Sequence, residues 1–291
     1  MSKLYVIGNG FDLHHGLPTS YKAFHKYVQK NHPDIENDFD EYFRFSLDQD
    51  GLWADFENGL GSFNWLSFFD QHNQTDPLEE NFKPGEAFGL EDGLIQEKDE
   101  LIERIRLAFE EWLTQISLDS IIKKLEIDSN SKFLSFNYSL TLEKVYGISS
   151  NEVLHIHGEI ESNLGSLIFG HDQELEEEVE ELDENGDSNR TLFSDSENVA
   201  KSIYYSFQKP VEDTIEENIE FFESLNNVEE IIILGHSLNS IDIPYFIEIK
   251  KYVKNRCIWN VSFYGSDEIA EHHDALSKIG VKSEYIKQFK M

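Results

Sequence analysis

This sequence predicts an α/β fold with a parallel sheet covered by helices on both faces. Three observations carry that reading. Short, nearly uninterrupted apolar runs recur: "KLYVIG" (3–8), "KFLSF" (132–136), "VLHIH" (153–157), "SLIFG" (166–170), "EIIILG" (230–235) and "WNVSFYG" (259–265). Strands buried on both faces need that pattern, whereas half-exposed strands alternate. The later runs are separated by helical patterns at 212–225, 243–254 and 268–278, and such alternation is the signature of parallel pairing. Finally, most of the runs end in a small or polar residue, where the carboxyl edge of a Rossmann-like sheet opens to form a ligand crevice.

Taken in order, the first strand (3–8) runs into the glycine-rich stretch Gly8-Asn9-Gly10. Pro18, Thr19 and Ser20 offer helix-starting chemistry. Tyr21, Phe24, Tyr27 and Val28 then recur at helical spacing up to Pro33, which stops the helix. From 34 to about 96 the chain is acidic, aromatic and irregular, with helical patterns in "ENDFDEYFRFSL" and "WADFENGLGSFNWLSFF". Prolines and glycines mark "DPLEENFKPGEAFGLEDG" as loop. A long helix follows over 97–116, with Leu101, Ile102, Ile105, Phe109, Trp112, Leu113 and Ile116 on one face. About a hundred residues therefore separate the first strand from the rest. The expected organisation is a core built from 1–30 and 126–291, with a helical insertion at 31–125 lying over the strand tips. The acidic stretch 173–190 is expected to be an exposed loop.

Composition narrows the function. With 291 residues and 39% hydrophobic content the chain can bury a sizeable core, and 22 Phe and 12 Tyr supply large apolar area. A formal net charge of −33 repels phosphate backbones and anionic membranes, so neither nucleic acid nor membrane is an expected partner. The single cysteine, Cys257, forms no internal disulfide and no multi-cysteine zinc site. No signal-peptide pattern opens the chain and no apolar run reaches membrane-spanning length, so a cytoplasmic protein is expected. His and Asp residues show no metal-ligand spacing, and no metal is expected.

The opening loop fits neither common nucleotide fingerprint. Gly8 and Gly10 start the dinucleotide pattern, but Leu13 stands where its third glycine belongs, and no acid ends a second strand about 20 residues on. No Gly-Lys-Ser/Thr follows, so it is not a phosphate-binding P-loop. Other run ends carry chemistry too. Asn137 follows "KFLSF", His157-Gly158 ends "VLHI", and Gly235-His236-Ser237-Leu238 follows "EIIIL" with Asp242 close behind.

Together these blocks resemble the sirtuin-like NAD-binding superfamily, whose strand–Gly-Ala-Gly-x-Ser loop and later Gly-Ile-Pro match Gly8-Asn9-Gly10-Phe11-Asp12 and Gly16-Leu17-Pro18 at the same spacing. More closely, "IGNGFDLHHGLPTSY", "FNYSLTLEKVY", "HIHG" and "GHSLNSIDIPYF" resemble the AbiH-type phage abortive-infection family, over residues 4 to about 246. Asp12 replaces the superfamily's serine, and Ser139 stands where many relatives carry an acid. The four-cysteine zinc module of protein-deacetylating sirtuins is missing, so protein deacylation is not expected.

The resemblance implies a phage-defence effector that hydrolyses NAD, as substrate, at the nicotinamide–ribose bond. Its implied site has Asn137 and His157 as catalytic groups. Gly8, Asn9, Gly10, Phe11, Gly16, Pro18, Gly158, Gly235, Ser237 and Asp242 would bind the nucleotide, with the pyrophosphate on backbone N–H groups after Gly8. To these the residue chemistry adds Asp12, an acid able to stabilise a cationic ribose. An alternative is a non-catalytic sensor of NAD or a cyclic ADP-ribose type of nucleotide; a nuclease effector is the weakest alternative. Effectors of this kind often assemble, so a homo-oligomer is expected by association, while no motif names a phage trigger.

Competing roles stay open for individual residues. Asn137 suits a helix cap near Ser139 as well as a ligand contact, and Asp242 suits an N-cap equally. One of His155 and His157 is expected to be a satisfied core histidine, with His157 the functional one. His14 and His15 are expected at the surface. His171, after "SLIFG", is a further candidate for the crevice. Trp53, Asp55 and Glu57 are expected as insertion core (Trp53) and exposed acids.

Overall fold

The computed structural model describes residues 2–43, 56–74, 83, 85–161, 167–175 and 188–291. Its centre is a six-stranded, wholly parallel sheet: β1 (Ser2–Ile7), β2 (Lys132–Ser135), β3 (Val153–His155), β4 (Val228–Leu234), β5 (Ile258–Phe263) and β6 (Ile286–Lys290). The spatial order is β3-β2-β1-β4-β5-β6. This is the doubly wound α/β order, in which the chain reverses direction across the sheet between β1 and β4.

Burial follows from alternation along each strand. On β1, Leu4 and Val6 join one core with Leu134, Ile231, Ile233, Trp259 and Val261, covered by Phe222, Tyr245, Phe246, Ile249 and Leu276. Tyr5 and Ile7 face the other way, onto Phe11, Phe133, Leu142 and Tyr146. Covering helices on the first face include α8 (Val211–Glu217), α9 (Ile219–Glu223), α10 (Ile243–Tyr252) and α11 (Glu268–Lys278). The second face is covered by α1 (Asn9–His15) and a π-helical turn, Leu142–Tyr146. Each large apolar side chain removed from water on these faces contributes about 2 kcal/mol.

The fold class matches the expectation, and several elements differ. "SLIFG" forms no strand over its described residues 167–170; only His171 makes an isolated bridge, to Gln208. The sixth strand is instead β6, "IKQFK", whose outward lysines suit an exposed edge and break the apolar run that a buried strand shows. The glycine-rich opening is not a loop but the short helix α1, which ends on Gly16 at φ +86°, where its N–H caps the Asp12 and Leu13 carbonyls. The long helix α6 runs over Gly85–Thr114, starting before the expected 97 because Gly85, Gly89 and Gly93 make its first turns resemble loop. A further helix, α7 (Ser194–Ser206), adds to the expected elements. Pro33 both stops α2 (Tyr21–Asn31) and stands at the first position of α3 (Pro33–Tyr42).

The chain divides into two compact units. The first, 1–23, 110–168 and 210–291, holds the sheet. The second comprises 24–109 and 169–209, and includes the short helices α4 (Phe56–Leu60) and α5 (Trp65–His72). Its core is aromatic, with Phe24 edge-on to Phe56 and to Phe109 at centroid distances of 5.1 and 5.2 Å. Within it Lys209 Nζ lies 2.7 Å from Glu57, so Glu57 is half-buried and paired rather than exposed. Trp53, Asp55 and 176–187 of the acidic stretch lie outside the described residues. No helix among the described residues is long and apolar enough to cross a membrane.

Candidate active site at the carboxyl edge of the sheet

Register brings the strand ends together. Ile7 pairs with both Ser135 and Leu234, and Ser135 pairs with His155. The ladder continues one step beyond, with Phe136 N–H donating to Ile7 and Ile156 N–H to Ser135. Gly8, Asn137, His157 and Gly235 therefore leave the sheet along one edge.

At the point of reversal the glycines serve backbone crossing. Gly8 N–H donates to Leu234 O at 3.0 Å and Gly10 N–H to Gly235 O at 2.8 Å, while Phe11 N–H donates to Gly8 O. A Cβ on Gly8 would lie 2.6 Å from His236 Cα, and one on Gly10 2.8 Å from Gly235 Cα. The N–H donors of Gly8, Gly10 and Phe11 are thus used within the fold. Asn9 braces the following segment, its Nδ2 donating to Thr19 O at 2.8 Å. Gly16 is the helix cap, Pro18 is exposed, Ser237 is exposed, and Gly158 closes the turn after β3 at φ +82°.

Two polar clusters occupy this edge. In the first, Asp12, 1% exposed, accepts from Thr141 Oγ1 at 2.7 Å and from Ser139 Oγ. Burial lifts its pKa to about 6, opposed by the hydroxyl donors of Ser139 and Thr141. Asn137 is 5% exposed and its backbone is held by Ser135, whose Oγ accepts from Asn137 N–H at 3.2 Å. Its carboxamide stands near enough to favour the Asp12 carboxylate, yet neither Oδ1 nor Nδ2 reaches a partner at hydrogen-bonding geometry. It caps no helix, since the turn after it begins at Thr141 and is π-helical, a form frequent at functional sites.

The second cluster is His157, Asp242 and His236. His157 Nε2 lies 3.9 Å from Asp242 Oδ1, and His236 Nε2 lies 3.4 Å from Asp242 Oδ2. Asp242 holds the backbone N-cap position of α10 but makes no side-chain cap; its carboxylate serves the two imidazoles. Leu238 sits in the left-handed region at φ 56°, a conformation costly for a branched side chain. His236 Nδ1 accepts the Leu238 N–H at 2.9 Å, which holds this turn and leaves the ring proton on Nε2, facing Asp242. Phe136 packs between the rings, at 5.3 Å from His157 and 4.4 Å from His236.

The remaining histidines sort by environment. His155 and His157, two residues apart, would share a face if the strand continued; β3 ends at His155, and the turn sends His157 elsewhere. His155 Nδ1–H donates to Asn137 O at 2.9 Å and Nε2–H to Glu143 Oε1 at 2.9 Å. Burial pulls its pKa down, but Glu143, the Asn137 carbonyl and Glu159 raise it overall. His15 is buried, not on the surface: Nδ1–H donates to Phe11 O at 2.7 Å and Nε2 accepts from Tyr146 at 2.8 Å. His14 is half-buried. His171 belongs to the second unit and is fully buried, donating to Tyr204 O and accepting from Gln173 N–H; burial lowers its pKa.

Sequence reasoning missed Thr141 and the role of His236. Thr141 sat inside the "FNYSLTLEKVY" block and His236 inside the Gly235–Leu238 block, but neither residue type at its position named a partner.

The Asp12 environment has a measurable consequence. Its carboxyl is protonated in the fold between about pH 4 and 6, where the unfolded chain is already ionised, so its contribution to stability falls as pH rises through that window. Asp12→Asn should therefore gain on the wild type by about 2–3 kcal/mol between pH 4 and pH 7, read as the difference of the two urea-unfolding free energies. A difference that stays flat with pH would show that the carboxyl is not desolvated.

Comparison with known proteins agrees with the blocks that form this edge. Comparisons with curated proteins and with solved structures returned no match. A family model described as bacteriophage abortive infection AbiH matches residues 4–263, a span that runs from β1 to the end of β5 and includes every residue of both clusters. The chain belongs to the AbiH family of bacteriophage abortive infection proteins.

Proposed function

We propose that this protein acts in abortive infection by hydrolysing NAD at the nicotinamide–ribose bond, on a sirtuin-like plan. The observation that carries the reading is Asn137: a buried carboxamide with both polar atoms lacking hydrogen-bond partners, at the carboxyl edge of a parallel sheet beside an acid of raised pKa. An amide buried in this way is completed by a ligand group or a bound water, and its place at the carboxyl edge, where parallel α/β sheets bind ligands, favours the ligand.

The chemistry follows from the charges. Nicotinamide leaves as a neutral base, taking the C–N bond pair, while positive charge builds on the ribose, as in other glycoside cleavages. At neutral pH most Asp12 is ionised, and its charge favours that cation. Asn137 can hold a ribose hydroxyl or the attacking water. His157 takes the proton that water loses as its oxygen bonds to the ribose carbon, and Asp242 stabilises the resulting imidazolium. His236 positions Asp242 from the opposite side.

Incubating the purified protein with NAD and measuring free nicotinamide tests this directly. His157→Ala should reduce release by about 10²–10⁴-fold, the usual contribution of a general base. Intact NAD with every preparation would overturn the reading. The alternative is a nucleotide sensor that would hold NAD at the same edge without cleaving it. NAD that binds without nicotinamide release would decide for the sensor.

A further inference from the structure

We propose that Glu143, His155 and Glu159 form a binding site for a divalent transition-metal cation, Zn²⁺ or Mn²⁺. One ligand atom from each side chain lies within 4.8 Å of the others. His155 Nε2 is 2.9 Å from Glu143 Oε1 and 3.6 Å from Glu159 Oε2. Ligands held 2.0–2.2 Å from a tetrahedral metal stand about 3.3–3.6 Å apart, so only small side-chain shifts separate this arrangement from a coordination shell.

Two further features point to a cation. The Glu143 side chain is 8% exposed, and its second oxygen, Oε2, is buried with no hydrogen-bond partner. A carboxylate half-satisfied in this way is costly unless something positive completes it. His155 is also oriented as metal-ligating histidines are: its Nδ1–H donates to a backbone carbonyl, that of Asn137, which presents Nε2 to the two carboxylates. One imidazole with two carboxylates suits zinc or manganese better than magnesium, which avoids nitrogen ligands. In the absence of metal a proton on Nε2 fills the same place between the acids, and the cation displaces it. Glu159, with 34% of its side chain exposed, gives the solvent side on which the ion enters and water completes the shell.

The spacing explains why the sequence did not show it. His155 and Glu159 lie four residues apart, but β3 and a turn rather than a helix join them, and Glu143 comes from the π-helical turn after β2. The site stands whether or not the protein cleaves NAD.

Calorimetric titration of the full chain with ZnCl₂, and separately with MnCl₂, reads it. A protein with so many acids binds divalent ions weakly over its surface, so the effect of substitution is the readout. One equivalent should bind well above that background, weakened at least tenfold in Glu143→Gln and in Glu159→Gln with unchanged circular dichroism. Glu159→Gln, on the exposed side, guards against a folding defect. Uptake that neither substitution weakens, or no equivalent above background, overturns the assignment.

Discussion

On the proposed NAD hydrolysis, Asn137→Ala is expected to cut nicotinamide release by about 10²–10³-fold, the loss typical of removing one oriented polar group from a charge-stabilising site. It should do so at little structural cost. Most polar side chains in a core repay their burial with hydrogen bonds, and removing one then costs about 1–3 kcal/mol. Asn137 differs, because neither polar atom of its amide has a hydrogen-bond partner. Truncation removes an unsatisfied group, so the unfolding free energy should stay within about 1 kcal/mol of the wild type, or rise. The two measurements together distinguish the roles. Lost turnover with retained stability supports a ligand-binding amide. A large fall in stability would instead mark Asn137 as a structural residue, and full activity in the variant would remove it from the mechanism. Because Asn137 O also accepts from His155, the backbone position survives the substitution, and the imidazole keeps its partner.

Gly235→Ala is expected to be the most damaging small substitution in the sheet-containing unit. Two effects combine. Gly235 has φ +63°, in the left-handed region, and an added Cβ would lie 2.1 Å from Phe11 N and 2.4 Å from Gly10 C. Left-handed geometry costs an L-residue about 1–2 kcal/mol, and forcing apart a close-packed crossing adds about 1–3 kcal/mol. Gly16 supplies the control, since it has φ +86° but nothing within 4 Å of where a Cβ would stand. Gly16→Ala should show the conformational cost alone, and Gly235→Ala roughly double it or more. Urea unfolding of both variants measures the difference, and equal losses would show that the crossing of β1 and β4 has room to spare. The same crossing determines where the clusters sit. It fixes Gly8 against Leu234, and from there Asn137 and His236 take their places on the neighbouring loops.

Much of the framework could be read directly from the residues. Apolar runs such as 3–8 and 231–234 identify strands buried on both faces, because no half-exposed strand tolerates them. The periodic face of the helix carrying Leu101, Ile105 and Phe109 is equally local. Where local chemistry conflicted with context, the reading failed. "SLIFG" has strand-forming residues, yet its described residues 167–170 join no strand, whereas "IKQFK" pairs with β5 despite its lysines. Asn9 and Gly10 are poor helix formers, yet α1 starts there because Phe11 is buried under the sheet and Gly16 closes the turn.

The candidate site divides in the same way. The residue types at the run ends, Asn137, His157, Gly235 and Asp242, are legible in one dimension because each follows an apolar strand. Their partners are not. Asp12 meets Ser139 and Thr141 across more than a hundred residues of chain, His236 faces Asp242 from a turn in which Leu238 has a left-handed backbone and donates its N–H to the imidazole, and His155 finds Glu143 through strand register. By itself the sequence determined five of the six strands, the parallel α/β class and the family, since these depend on which residues follow which. Only the tertiary structure decided which donors remain available, which acid is desolvated and which imidazoles share a carboxylate, because hydrogen bonding and burial are set by neighbours in space.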